Sequence, residues 1–231
     1  MCTSLRGSAP LQRAVLQHDK FVGVTLQTLD LKHFDHGAII DQTPRPGLKM
    51  PSLGENPLDE LVSLLGSLGA EMLGKNIVSG NFLNSRPIQI PKEGDSEPRH
   101  APKITTEDKH IQWNSWSVKD FLVRDRVLGH LWDTEASKHL FNTKSASSPA
   151  PRIVYSCWGE VLMDDIHGET KSRRQEHDPA LTNGVPFVRL HDPEKRLIFK
   201  CKDGFVAPNH LTIEGKPKTP ASKFWQDVVN A

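Results

Sequence analysis

"FVGVTLQTLDLKHFDHGAIIDQTP", residues 21–44, decides how the first part of the chain is read. Its two ends, "FVGVTLQTLD" and "AIIDQTP", are short runs rich in β-branched and apolar residues that stop at turn or proline signals, so both read as strands. Between them Asp35 lies among His33, Phe34, His36 and Gly37, on a loop joining the strands. Upstream, "PLQRAVLQHD" sets Leu11, Ala14 and Val15 on one helical face, with Pro10 tolerated in the first turn. Downstream, "NPLDELVSLLGSLGAEML" reads as a second helix. Asn56 is a suitable cap, Pro57 takes the first position, and Asp59 and Glu60 suit the positive helix end. Leu58, Leu61, Val62, Leu65, Leu68 and Met72 recur at helical spacing, which predicts one face packed on a sheet. Helix, strand, loop, strand, helix is an α/β pattern.

The composition changes at "PIQIPKEGDSEPRHAPKITTED", residues 87–108, where four prolines and scattered charge replace apolar periodicity. We expect one domain over residues 1–88, a proline-rich linker over 89–103 and a second domain over 104–231. In the latter "NSWSVKDFLVRDRVLGH" is a helix, with Val118, Phe121, Leu122 and Val127 roughly on one side. "RIVYSCWGEVLM", "VPFVRL", "RLIFKC" and "FVAPNHLTI" are short strands separated by turns, the pattern of a small barrel or sandwich. "TPASKFWQDVVNA" reads as a closing helix capped by Thr219 with Pro220 first, and "SKHLFNTKSASSPAP" as a polar surface excursion.

The totals exclude several classes. With 231 residues, 36% of them hydrophobic and 25% charged, this is the composition of a globular protein of one or two domains. No apolar run approaches the ~18 residues that span a bilayer, so no membrane partner is expected. Lys+Arg of 29 against Asp+Glu of 28 leaves no global basic field, so a nucleic-acid surface has to be a local patch. Three widely spaced cysteines argue against a disulfide framework and for a reducing compartment. "MCTSLRGSAPLQRAVL" lacks the apolar core of a signal peptide and reads as a loop entering a helix.

A metal site needs three or four converging ligands, and His33, Asp35 and His36 on one short loop cannot wrap an ion. Phosphate-cradling glycine patterns and a G-x-S-x-G nucleophile elbow are absent. Asp35 therefore has two readings. A carboxylate at the carboxyl end of a strand, with Gly37 letting backbone approach a ligand, suits catalysis; a polar turn residue is the plainer alternative.

Arg6-Gly7-Ser8-Ala9-Pro10-Leu11-Gln12, then Gly23-Val24-Thr25-Leu26-Gln27, then Asp35-His36-Gly37 resemble successive blocks of the methionyl-tRNA formyltransferase family. The family patterns are R-G-x-A-P-[IL]-Q, G-V-T-[IL]-Q and D-x-G. Ala101, Lys103, Ile104, Glu107, Asp108, Ile111 and Trp113 match the start of the family's carboxyl-terminal domain, and "KDGFVAPNHLTIEGKPKTPASKFW" is similar to its closing block. The "FDHG" form looks like eukaryotic organellar members. The resemblance implies the second half of a Rossmann-like formyltransferase domain followed by an OB-like β-barrel. It also implies formyl transfer from 10-formyltetrahydrofolate to initiator methionyl-tRNA in the mitochondrial matrix, without a metal, by a protein that is monomeric when its catalytic domain is complete.

Carried over residue by residue, Asp35 matches the catalytic aspartate, which orients an imidazole or a water and supports proton transfer. Thr25, His33, Phe34 and Gly37 fall on the strand and loop that help hold the folate. Arg6, Lys200, Lys202, Lys216 and Lys218 are the candidate tRNA contacts, with Lys195, Arg196 and Lys223 adding to the positive last segment. The family's N-x-H-P-S-L-L-P block, source of the catalytic Asn and His, has no counterpart beyond Ser4-Leu5, so little activity is expected of this chain alone. The alternatives are a non-catalytic tRNA-binding or regulatory protein and an enzyme that formylates another amine. The five tryptophans, with Cys157 and Cys201, are expected to be core.

Overall fold

The structure, a computed structural model, describes residues 5–30, 32, 37–52, 54–83, 99–140, 150–162, 182–187, 194 and 196–224. It divides into two compact units, Met1–Ile104 and Thr105–Ala231.

In the first unit α1 (Pro10–Leu16) begins on Pro10, where a missing N–H costs nothing, and buries Ala14, Val15 and Leu16. It ends where His18 takes a left-handed φ of 54° and its N–H donates to the Val15 carbonyl at 3.1 Å. The expected first strand is broken at Gly23-Val24 into β2 (Phe21–Val22) and β3 (Thr25–Gln27). β3 pairs antiparallel with β4 (Ile39–Gln42), and β2 antiparallel with β5 (Leu48–Lys49). β1 (Leu5–Arg6) pairs in parallel with β6 (Arg99–His100). Residues 99–103, at the end of the proline-rich stretch, are thereby woven into this unit. Ala101 N–H donates to the Arg6 carbonyl at 2.7 Å, and the Arg13 guanidinium donates to the carbonyls of Pro102 and Lys103, each at 3.2 Å. Arg99 forms an ion pair with Asp19 and donates to the Gln17 side chain at 2.9 Å. Gly7, at φ 134°, lets this crossing happen, because a Cβ there would stand 2.5 Å from the Ala101 carbonyl oxygen.

The helix α2 (Pro57–Ser79) runs beyond the sequence pattern to Gly80, whose left-handed φ of 67° ends it. Asn56 precedes it without a side-chain capping bond. Leu61 and Leu65 are buried, but Val62, expected inward, is 56% exposed. Asn76, also buried, donates to the Asp41 carboxylate at 2.8 Å and to the Met72 carbonyl at 2.9 Å, tying the helix to β4. Contrary to the expectation from the sequence, α2 is long and apolar enough to cross a bilayer by length and composition alone. Its buried stripe and the Asn76–Asp41 bond instead dock it on β3, β4 and α1.

In the second unit α3 (Val118–Leu128) starts in a capping box between Ser117 and Asp120 and stops at Gly129, φ 74°. The sheet runs β7 (Leu131–Asp133), β8 (Ile153–Val161), β11 (Phe205–Ile213), β10 (Ile198–Lys200), β9 (Pro186–Phe187), with β12 (Thr219–Pro220) on the far end of β11. All these pairs are antiparallel. Rings of Trp113, Phe121, Tyr155, Trp158 and Phe199 pack on one another with centroids 4.9–6.2 Å apart and form the core.

The expected fold class is corrected on both counts. Among the described residues the first unit has three two-stranded pairs in place of half a Rossmann-like sheet, because its strands are two to four residues long and are interrupted by Gly23 and by the Pro44–Gly47 turn. The second unit has an open sheet rather than an OB-like barrel. Two nine-residue strands form its centre, while β7 and β9 at its edges, three and two residues long, do not pair to close it. The protein is a mixed α/β fold with several sheets.

Two local expectations change as well. "SKHL" belongs to α4 (Glu135–Leu140), whose first N–H groups, of Glu135 and Ala136, donate to the buried Asp133 carboxylate at 2.9 and 2.6 Å. Thr219 and Pro220 form a strand, and the helical residues start at 221. Cys201 is buried as expected, and burial pushes its thiol up; Cys157 is exposed, at a left-handed φ of 60°.

Candidate functional site

The loop that carries Asp35 leaves β3 at Thr28 and re-enters β4 at Ala38, and its neck is closed by two bonds. Thr28 N–H donates to the Ala38 carbonyl at 2.8 Å, and Ala38 N–H donates to the Thr28 hydroxyl at 2.9 Å. Gly37 lies so close to the Thr28 carbonyl that any side chain there would collide with it. Thr25, half-buried, stands at the far end of β3 opposite Gln42. Asp35, His33 and Phe34 lie outside the described residues. Behind the neck, Thr43 N–H donates to the Val24 carbonyl at 2.9 Å, Val24 N–H donates to the Thr43 hydroxyl at 2.9 Å, and Asp41 is fixed by Asn76. Sequence reasoning passed over Asp41, Thr43 and Asn76. A buried asparagine on an apolar helix face is the signal that could have found the last of these.

The candidate cations separate. Arg6 is half-buried in β1 of the first unit. Lys200 pairs opposite Phe205, and Lys202 lies exposed in the following turn, both at the start of β11. Lys216 and Lys218 are exposed beyond its other end. The nine residues of β11 hold the two groups about 26 Å apart at the usual strand rise. Arg196 pairs with Glu194 at 3.7 Å, Lys223 is exposed, and Lys195 lies outside the described residues.

At the end where β11 finishes and β8 begins there is a second basic group. The Arg152 carbonyl accepts from Glu214 N–H at 3.0 Å, which places Arg152 beside the turn holding Lys216. The Arg152 guanidinium carbon stands 4.4 Å from the centre of the Trp132 ring, and His110 stacks on the same ring at 4.3 Å. Lys109 Nζ is 3.2 Å from His130 Nε2. These residues come from three separate segments, which is why no sequence pattern joined them.

On the side of α3 that meets β8 the half-buried Asp125 carboxylate accepts from the N–H groups of Cys157 and Trp158 at 3.3 and 3.0 Å. Burial raises its pKa, and these two bonds, with Arg126 and Lys218 nearby, oppose the rise. Among the described residues no three His, Cys, Asp or Glu side chains converge as a metal set.

No family model matches the chain. It is 38% identical over 237 residues to the mitochondrial methionyl-tRNA formyltransferase of Saccharomyces cerevisiae, an alignment covering 95% of this chain and 55% of that protein. It is 30% identical to the mitochondrial enzyme of Homo sapiens over 97% of this chain and 51% of the relative. The methionyl-tRNA formyltransferase of Parabacteroides distasonis is 27% identical over 95% of this chain and 59% of its own. The chain thus spans about half the length of the curated relatives it matches. HypX from Aquifex aeolicus, solved in complex with tetrahydrofolic acid, superposes on 100% of this chain and 34% of its own with a TM-score of 0.53 at 14% identity, a likeness of fold alone. Similarity over nearly its whole length supports membership of this chain in the methionyl-tRNA formyltransferase family.

Proposed function

We propose that the chain serves the formylation of initiator methionyl-tRNA from 10-formyltetrahydrofolate, in mitochondria. The observation that carries this is the 38% identity to a mitochondrial formyltransferase over 95% of the chain. In this reading residues 1–88 carry a part of the formyl-transfer domain and residues 104–231 a tRNA-holding domain, joined by 89–103.

The methionyl amine attacks the formyl carbon, a tetrahedral oxyanion forms, and the bond from that carbon to folate N10 breaks. One proton leaves the amine and one reaches N10. Asp35 orients the group that takes the amine proton, and Thr25, His33, Phe34 and Gly37 border the folate. The closed neck at Thr28 and Ala38 supports this, since a catalytic loop works only if its ends are fixed. Arg6, Lys200, Lys202, Lys216 and Lys218 are the candidate cations for tRNA phosphate.

The test is a formylation assay with 10-formyltetrahydrofolate and charged initiator tRNA. It uses the chain alone and the chain joined to the amino-proximal half of the Saccharomyces cerevisiae relative. Turnover by the joined protein, lost by roughly 100-fold or more in Asp35→Asn, is the expected result. Unchanged turnover in Asp35→Asn removes the assigned role, and tRNA binding with no turnover in either form marks a non-catalytic binding protein.

A further inference from the structure

Trp132 is only 9% exposed and is held by its indole N–H, which donates to the Thr106 carbonyl at 2.8 Å. It is therefore a fixed platform, not a free ring waiting for a base. Around it stand Arg152, His110, Lys109 and His130, and among the described residues none of these four forms an ion pair. Of the acids nearby, Asp108 accepts from the Thr105 N–H and hydroxyl at 2.8 and 3.1 Å and Asp133 caps α4, while Glu107 and Glu214 are exposed and form no ion pair with these four among the described residues. A lysine ammonium 3.2 Å from an imidazole nitrogen, with no carboxylate between them, is an unbalanced contact. It holds only while the imidazole is neutral, or when an anion joins the two. Burial and the adjacent Lys109 hold His130 below the ordinary imidazole pKa.

We infer that this end of the second unit's sheet is a nucleic-acid phosphate site, with Lys109 and His130 taking one phosphate, Arg152 a neighbouring one, and Lys216 extending the row. The inference rests on the tRNA reading above and names the surface that grips it. Lys109, half-buried, and His130, Arg152 and Lys216, all exposed, come from the start of the unit, the turn before β7, the residue before β8 and the turn after β11, and donors spread over four segments suit a backbone of successive phosphates. Lys200 and Lys202, at the opposite end of β11, lie outside this surface.

The experiment measures binding of initiator tRNA to the full chain by fluorescence anisotropy across a salt series, with thermal unfolding of each variant as the control for folding. Lys109→Ala and Arg152→Ala are each expected to weaken binding about 5- to 10-fold at low salt and to reduce the salt slope by about 1, as one lost phosphate contact should. Arg152→Lys should recover part of the loss, and Lys119→Ala, on the exposed part of α3, should change binding less than about twofold. Millimolar inorganic phosphate should not displace the tRNA. If the chain binds tRNA and both variants bind as well as the parent, or if only Lys200→Ala and Lys202→Ala weaken it, this site is wrong and the tRNA reading stands. Displacement by inorganic phosphate would also overturn it, in favour of a small-anion site. If the chain binds no tRNA at any salt concentration, both fall together.

Discussion

The two units solve the problem of a small core in opposite ways. The second gathers Trp113, Phe121, Tyr155, Trp158 and Phe199 against one sheet, with Phe121, Tyr155 and Phe199 fully buried. The first relies on α2, whose apolar arc is wider than the surface that covers it. Leu61 and Leu65 face inward, while Val62, Leu73 and Ile77, on the adjoining stripe, are 56%, 46% and 56% exposed. A ring cluster locks neighbouring strands into one arrangement. A half-covered helix tied down by polar bonds such as Asn76–Asp41 leaves its unit resting on fewer apolar contacts. The second unit should therefore melt as a block, and the first should open at lower cost.

Side-chain truncation probes that contrast hardest. Phe121→Ala should cost the second unit about 3–5 kcal/mol, Leu61→Ala the first about 2–4, and Val62→Ala less than about 0.5. Urea titrations followed by tryptophan fluorescence and by hydrogen exchange would resolve the two units. A large loss from Val62→Ala would mean that the α2 stripe is covered and that the contrast is false. Gly7→Ala comes next. It places a methyl 2.5 Å from the Ala101 carbonyl oxygen at a φ of 134°, so a loss of about 2 kcal/mol is expected, confined to the first unit. Its reading is exchange at Ala101 N–H, bonded to the Arg6 carbonyl, which should become faster while the amides of β8 are unaffected.

What was legible in the sequence follows from how local each feature is. The helix α3 could be seen in its spacing and the start of α2 in Pro57, because caps and helical spacing act within a few residues, whereas the reading of α2 stopped at Leu73, short of its end at Gly80. α4 was missed because its start depends on Asp133, a buried carboxylate contributed by the strand before it. The barrel expectation failed for a related reason. Strand count and turn spacing could be seen, but closure depends on which edges meet, and β8 pairs with β11 across some fifty residues of chain. The loop bearing Asp35 was located by motif, whereas the union of Lys109, His130 and Arg152 exists only after folding.

The pH dependence of the second unit offers a smaller effect. Burial raises Asp125 above its ordinary 3.8, so the folded chain binds its proton at a pH where the unfolded chain does not. Stability from this group is then present at low pH and is lost as pH rises through the raised folded value. Asp125→Asn cannot titrate, so the difference in Tm between parent and variant should move in the parent's favour as pH is lowered across that window. A difference that moves the other way would mean that the Cys157 and Trp158 N–H bonds, rather than burial, dominate the carboxylate.

The smallest effect carries an opposite sign. Cys157 sits at φ 60° inside β8, a conformation that costs an ordinary side chain about 1–2 kcal/mol, and it is held there by the bonds from its own N–H and that of Trp158 to Asp125. Its side chain is exposed, so removing it forfeits little packing. Glycine relieves the strain but adds about 0.5–1 kcal/mol of unfolded-state entropy. Cys157→Gly should therefore stabilise the second unit by a net ~0.5 kcal/mol, and Cys157→Val, branched at Cβ, should destabilise it by more than that. The pair of variants, compared by thermal unfolding, isolates the backbone. If glycine destabilises and valine is neutral, β8 does not carry its twist at residue 157, and Asp125 does not hold the strand in the way the second unit's rigidity requires.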